Sequence, residues 1–273
     1  MTPSAPQSAI PTPWPTRTIV LAGCLWMLAS WVLLWVQSGF TLETFRTMAF
    51  MAMIGLTGAW PALRLSQASR QGGAAQWARS CSVLLTDWLC LNILLQTVLW
   101  PLQAAADWTV SQTLWLSLTL ASTSLLIGLL IAWARGSHHA MARSGAMLAC
   151  VGVVVLEPAL MRFAGRVGSM RISPVQSVWT LTRPGMGALG SHGGNPAAGG
   201  TALDAAAALS PAHVYNQAIH AQAITQTLSI GLAALTGWIV LLLLIAAEGR
   251  ASDRAAKPRD KSADAKPPAP TGP

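Results

Sequence analysis

The sequence predicts an all-α integral membrane protein, a bundle of six transmembrane helices with both termini in the cytoplasm. Only 10% of its 273 residues are charged, whereas about a quarter are charged in a typical soluble domain. The mean hydropathy is +0.48. Uncharged runs long enough to cross about 30 Å of hydrocarbon recur along the chain. This composition excludes a soluble globular enzyme and a disordered protein.

The net charge of +8 does not indicate nucleic-acid binding. No predicted helix carries the basic stripe that such binding requires. The basic residues lie between apolar runs or in the tail, where all three lysines are found: Lys257, Lys261 and Lys266.

Six segments are predicted to span the membrane, at residues 18–38, 47–63, 81–103, 111–134, 144–161 and 224–247. The second is short and interrupted by Gly55, Gly58 and Pro61, and the fifth contains Glu157. Residues 1–17 and 248–273 are Pro-rich and are predicted to be disordered tails. Residues 162–223 form an external segment. The small-residue pairs at Ser124/Gly128 and Gly145/Ala149 predict close packing of spans four and five.

The orientation follows from the excess of arginine and lysine in cytoplasmic segments of membrane proteins. With the N-terminus inside, 12 basic residues lie in the cytoplasm and five lie outside. Four of those five follow span five, in a long segment of the kind that obeys the charge rule poorly. In the alternative topology, Glu157–Pro158 turns a re-entrant segment back, and the basic tail then lies outside.

The external segment has a Gly-rich middle that cannot form a stable helix or strand. Ser210–Pro211 then provides a helix start, and the helical pattern continues to about Glu248. A helix of these 38 residues would be about 57 Å long. Its first turns therefore stand outside the bilayer or form a separate short helix.

Asp87 and Glu157 are the acids that lie well inside the apolar runs. Intramembrane carboxylates often mark ion or proton routes, but a structural role is the favoured hypothesis for both. Asp87 is expected to reach interfacial water or to pair with Arg79. Glu157 is expected to cap a helix end or to pair with Arg162.

His213 and His220 are the weak candidates for metal ligands, because they lie seven positions apart on one helical face. No cysteine or carboxylate accompanies them, so no metal site is predicted. The sequence contains no GxxxxGK[ST], HExxH or GxSxG motif, which argues against a nucleotide site, a zinc hydrolase and a serine hydrolase in this chain. We therefore expect neither an enzyme nor a bound cofactor.

The organisation resembles the permease subunit of an ABC-2-type exporter. The similarity lies in LASTSLLIGLLIAWARGSHHAMARSGAMLACVGVVVLEPAL (120–160), in RISPV (171–175) and in PAL (61–63) before a basic loop. The last two features resemble the branch linked to gliding and copper-enzyme maturation. The loop at 64–80 departs from that family, because it has arginines and no acid.

The resemblance implies an exporter in the bacterial inner membrane. A separate P-loop ATPase would bind its cytoplasmic loops, and a second permease copy or a similar partner would complete the pathway. The ATPase-coupling surface then comprises Arg64, Arg70, Arg79, Arg135 and Arg143. One alternative is a non-catalytic membrane scaffold in a larger complex. Another is a proton-coupled carrier that uses Asp87 and Glu157, which is less favoured because the sequence shows no internal repeat.

Overall fold

The computed structural model describes residues 15–39, 41–67, 74–105, 108–137, 140–163, 174–182 and 211–256. At 153–163, 211–220, 252–256 and a few single positions it describes the backbone only. These parts of the chain are almost entirely helical and include no strand. Their elements are α1 (Thr16–Ser38), α2 (Leu42–Ile54), a π-helical segment (Gly55–Ala59), α3 (Trp60–Leu65), α4 (Ala74–Ala105), α5 (Val110–Gly136), α6 (Ala140–Phe163), α7 (Pro174–Leu181) and α8 (Pro211–Ala256).

Five stretches of the described helices are long and apolar enough to cross a membrane: Thr16–Gln37, Glu43–Leu65, Ala75–Ala105, Val110–Gly136 and Ala221–Ala251. The prediction of an all-helical, multi-pass membrane protein is confirmed at this level. Helix α6 contains the predicted span five. Its 24 residues correspond to a length of about 36 Å.

Local sequence accounts for several helix ends. The Thr109 side chain accepts the Gln112 backbone N–H while the Gln112 side chain accepts the Thr109 N–H, a capping box that starts α5. At the start of α2, the Thr41 side chain accepts the Thr44 backbone N–H as an N-cap. At the end of α1, Gly39 has a φ of 63°, a conformation that glycine adopts without steric cost.

The predicted interruption of span two is absorbed by the π-helical segment. The Trp60 backbone N–H bonds to the Gly55 carbonyl five positions earlier, which widens one turn. The Trp26 indole N–H donates to the Met51 carbonyl at 2.9 Å. A Cβ at Gly55 would come within 2.9 Å of the Trp26 ring. The span therefore continues from Glu43 to Leu65 with a local distortion that fits α1 against it.

Helix α5 is the centre of the bundle, because it packs against α3, α4, α6, α7 and α8. An ideal Cβ at Gly128 would lie 3.2 Å from the Trp60 ring and 3.5 Å from the Trp238 ring. Ser124 accepts a hydrogen bond from Asn92 of α4 at 3.3 Å. The sequence assigned this small-residue face to α6, and that assignment is wrong, because the face contacts α3, α4 and α8. A Cβ at Gly145 would meet nothing within 4 Å.

Helix α8 begins at Pro211, as the Ser210–Pro211 start predicts, and is a single helix. It continues beyond Glu248 to Ala256, so the first residues of the predicted disordered tail are helical. Alanines favour helix here, and the helix ends two residues before Pro258. Helix α6 also runs unbroken through Glu157 and Pro158, without the turn that a re-entrant segment requires. The Gly-rich part of the external segment and the predicted tails at 1–14 and 257–273 lie outside the described residues.

Candidate functional site

A buried ion pair joins the end of α3 to the middle of α4. The Nε and Nη2 atoms of Arg64 both lie 2.5 Å from the Asp87 Oδ2 atom. Both side chains are 0% exposed. Arg64 Nη1 also donates to the Gln67 Oε1 atom at 3.3 Å. Because an isolated buried charge is very costly, the ionised forms of both residues depend on this contact.

The pair leaves one carboxylate oxygen without a direct partner. Asp87 Oδ1 is buried and accepts no hydrogen bond within the described part of the chain. The hydrogen bonds of the pair therefore use only one of the two Asp87 oxygens. A second arginine adds positive charge near the pair. Arg135, at the end of α5, interacts electrostatically with Arg64 and Asp87, and also with Arg143 at the start of α6.

The first turns of α4 lie against the last turn of α5. The Trp77 indole N–H donates to the Ala132 carbonyl at 3.3 Å. A Cβ at Gly136 would lie 2.5 Å from the Trp77 ring, so only glycine allows this approach. The contact places exposed Arg79, two residues after Trp77, on the same end of the bundle as Arg135. We call Arg64, Asp87, Arg79, Arg135 and Arg143 the arginine cluster.

Two sequence predictions about the arginine cluster need correction. Asp87 pairs with Arg64, not with Arg79, because α3 brings Arg64 alongside α4. Arg64 is also not part of a surface, because it is completely buried in that pair. Of the other arginines predicted for coupling, Arg79 is exposed, and Arg135 and Arg143 are half-buried.

Several predicted site residues lie outside what the structure describes. Arg70 is among them, as are the side chains of Glu157, His213 and His220. Within the described part of the chain, no three histidine, cysteine or acidic side chains come together in a potential metal site.

Near the start of α2, Arg46 packs its guanidinium against Trp179 of α7. The Arg46 Cζ atom lies 4.1 Å from the centre of the Trp179 ring, which is cation–π geometry. Arg46 also pairs with Glu43 at 2.7 Å. The hydropathy pattern predicts neither α7 nor this contact, although Ser173–Pro174 carries the same helix-start signal as Ser210–Pro211.

The core of the bundle also contains polar contacts that hydropathy did not reveal. The Thr119 and Thr227 hydroxyls lie 2.8 Å apart between α5 and α8. The Trp238 indole N–H donates to the Leu125 carbonyl at 3.0 Å, and the Trp88 indole N–H donates to the Ala121 carbonyl at 3.1 Å. These contacts attach both α4 and α8 to α5.

No protein-family model, curated protein or solved structure matches the chain. The fold and the arginine cluster define a helical, multi-pass membrane protein with positive charge concentrated where α3, α4, α5 and α6 meet.

Proposed function

We propose that the chain is the membrane-spanning permease subunit of an ABC-2-like exporter, with six spans, both termini in the cytoplasm of a bacterium and a separate P-loop ATPase as partner. Helix α6 serves as span five in this topology. The excess of basic residues in the segments then assigned to the cytoplasm supports the orientation. The nucleotide belongs to the ATPase chain, and a second permease copy or a similar partner completes the pathway.

The arginine cluster is the observation that carries the proposal. Arg135 interacts electrostatically with Arg64, Asp87 and Arg143. Asp87 is the one acid named in the arginine cluster, so positive charge is in excess there. Exposed Arg79 lies at the same end of the bundle. Arg79, which is exposed, and Arg135 and Arg143, which are half-buried, attract acidic groups of a partner and repel basic ones. In the proposed topology this end faces the cytoplasm, where an ATPase would bind.

The packing of α5 suggests how a partner would move the bundle. Helix α5 contacts most of the other helices, and the short connection after Gly136 links it to α6. A force on that connection is transmitted through α5 to α4 and α8, because indole N–H groups of both helices bond to its backbone. The buried Arg64–Asp87 pair keeps α3 and α4 together during the movement. ATP-driven closure of the partner then switches the pathway between its two openings.

The test is affinity purification of the tagged full-length chain from its own membranes in mild detergent, with all co-purifying chains identified. A stoichiometric P-loop ATPase is the expected result. The double variant Arg79→Glu/Arg143→Glu should lower its recovery, because the acidic partner surface is then repelled. Arg250→Glu is the matched control, since Arg250 is exposed on α8 and lies outside the cluster.

Recovery of other membrane-complex subunits without an ATPase would contradict the exporter and favour the scaffold. Equal ATPase recovery in the double variant and in Arg250→Glu would show that the arginine cluster is not the binding surface. The two results separate the function from the surface assigned to it.

A further inference from the structure

A cavity of about 530 Å³ lies between α1, the α2–α3 span and α4. Its lining includes no charged, amide or hydroxyl side chain. Small residues on the two facing spans create the space, among them Ala22 and Gly23 on α1 and Gly55 and Ala59 on the other span.

The cavity is supported by the Trp26 side chain. Trp26 lines it and donates its indole N–H to the Met51 carbonyl. The ring lies against Gly55, where a Cβ would come within 2.9 Å. Because this bulky ring stands between α1 and the π-helical segment, the small residues around it cannot close together.

The cavity has the depth of one lipid leaflet. On α1 its lining runs from Ile19 to Ala29, ten helical steps that cover about 15 Å. This is half of the roughly 30 Å of hydrocarbon in a bilayer. Both flanking segments belong to helices apolar enough to span a membrane.

The cavity also reaches the outer surface of the bundle. Leu25 lines it and is 57% exposed, so in a membrane the lipid hydrocarbon lies directly beside it. An empty apolar space would cost its lining atoms their dispersion contacts on one side. An acyl chain can enter from the bilayer and restore them.

A positive charge lies on α1 just before the first residue that lines the cavity. Arg17 is exposed and precedes Ile19 by two residues on α1. Leu63, in the last turn of α3, lines the cavity. An arginine guanidinium binds phosphate strongly, through charge-assisted hydrogen bonds. Along the helix axis, the charge therefore lies at the depth where the headgroup of a lipid with its chain in the cavity would lie.

We infer that this cavity binds one phospholipid, with an acyl chain between α1 and the α2–α3 span and an anionic headgroup at Arg17. The acyl chain fills the cavity and contacts both α1 and the helices that α1 packs against. The inference does not depend on the proposed exporter function.

The test uses the purified full-length chain in bilayer nanodiscs that contain phosphatidylglycerol with a photoreactive diazirine in one acyl chain. After irradiation, mass spectrometry maps the labelled peptides. Adducts should concentrate on residues 19–29 and 52–63. The cavity-filling variant Ala22→Phe should lower this labelling by about tenfold, the effect of losing on the order of two buried methylenes of lipid contact. Ala233→Phe is the matched control on the exposed face of α8 and should label like the wild type.

The headgroup contact is tested with phosphatidylcholine that carries the same chains. The wild type should label more strongly with phosphatidylglycerol, and Arg17→Gln should remove that preference. Adducts spread evenly over the exposed faces of α1 and α8 would overturn the acyl-chain site, as would unchanged labelling in Ala22→Phe. Equal labelling of the wild type by both lipids would overturn the assignment of Arg17. The adduct map of the wild type decides the site even if Ala22→Phe does not fold.

Discussion

The Arg64 guanidinium and the Asp87 carboxylate lie 2.5 Å apart with both side chains fully buried, although 23 positions separate them in the chain. Arg64 lies in the last turn of α3, and Asp87 lies within α4. The pair therefore fixes one transmembrane segment to the next at a point where neither charge can reach water. Its two charges are stable only together, which makes it the most sensitive contact in the arginine cluster.

We predict that Asp87→Asn destabilises the protein by about 3 to 5 kcal/mol, the typical effect of leaving one buried charge without its partner. Arg64→Gln should have a similar effect. The double variant Arg64→Met/Asp87→Leu should be more stable than either single variant, because it removes both charges. Unfolding of the purified chain in detergent, followed by circular dichroism, measures all three. A double variant as unstable as the singles would show that packing, rather than charge pairing, holds α3 to α4.

Hydropathy and charge patterns were sufficient to predict the helical membrane class, since runs of apolar residues directly reflect the thickness of the bilayer. They could not predict the partner of Asp87. Arg79 was the nearest basic residue in sequence, but eight helical positions place it about 12 Å away along the axis, beyond the reach of neighbouring side-chain pairs. Arg64 becomes the partner only through the packing of α3 on α4, which no local pattern encodes.

Helix α7 illustrates a different limit. Pro174 follows Ser173 just as Pro211 follows Ser210, so a local start signal was present. The helix has only eight residues, however, which is too few for a membrane span. A pattern of long apolar runs therefore does not indicate it. Its contact with Arg46 depends on tertiary structure. The glycines show a similar limit, because Gly128 and Gly145 look alike in sequence but only Gly128 lies against aromatic rings.

Gly136→Ala should destabilise the contact between α4 and α5. The new Cβ would lie 2.5 Å from the Trp77 ring, so the ring must move and its hydrogen bond to the Ala132 carbonyl is lost. We expect a cost of about 1 to 3 kcal/mol, as for other overpacked sites. Thermal unfolding in detergent is the measurement.

Gly145→Ala is the control for that prediction, because a Cβ there would meet nothing within 4 Å. In a helix interior the change should be neutral or stabilising by up to about 1 kcal/mol. Equal effects of the two substitutions would contradict the role of the Trp77 contact.

The Thr119–Thr227 hydroxyl pair should contribute modestly to stability. Each hydroxyl also lies within hydrogen-bonding distance of a carbonyl of its own helix, at Trp115 and Ala223. The hydroxyl that accepts in the pair can donate to its own carbonyl. A Thr→Val substitution on one side therefore leaves the other hydroxyl with a partner. We predict a coupling free energy of about 0.6 kcal/mol, the average for such contacts between membrane helices, from a double-mutant cycle of Thr119→Val and Thr227→Val.

Thr225→Val provides the comparison, because Thr225 is exposed and bonds to the Ala221 carbonyl of its own helix. Its cycle with Thr119→Val should give no coupling. Coupling of equal size in both cycles would mean that the variants act through α8 as a whole.

The contact between Arg46 and Trp179 should hold α7 against α2. Trp179→Leu keeps an apolar side chain but removes the aromatic face over which the guanidinium lies, 4.1 Å from the ring centre. Cation–π contacts contribute about 0.5 to 2 kcal/mol, with the larger values at desolvated sites. Arg46 is 7% exposed and Trp179 is 48% exposed, so we expect an intermediate loss of about 1 kcal/mol.

Hydrogen exchange of the backbone amides in Pro174–Leu181 measures this loss locally. Exchange should accelerate about fivefold in Trp179→Leu, the factor that corresponds to about 1 kcal/mol. Arg46→Gln should have the same effect, and the two changes together should add little, because either one removes the contact. Trp133→Leu, at an exposed tryptophan on α5, controls for loss of an indole elsewhere and should leave this exchange unchanged. Additive effects of the two substitutions at Arg46 and Trp179 would show that each residue holds α7 through a different neighbour.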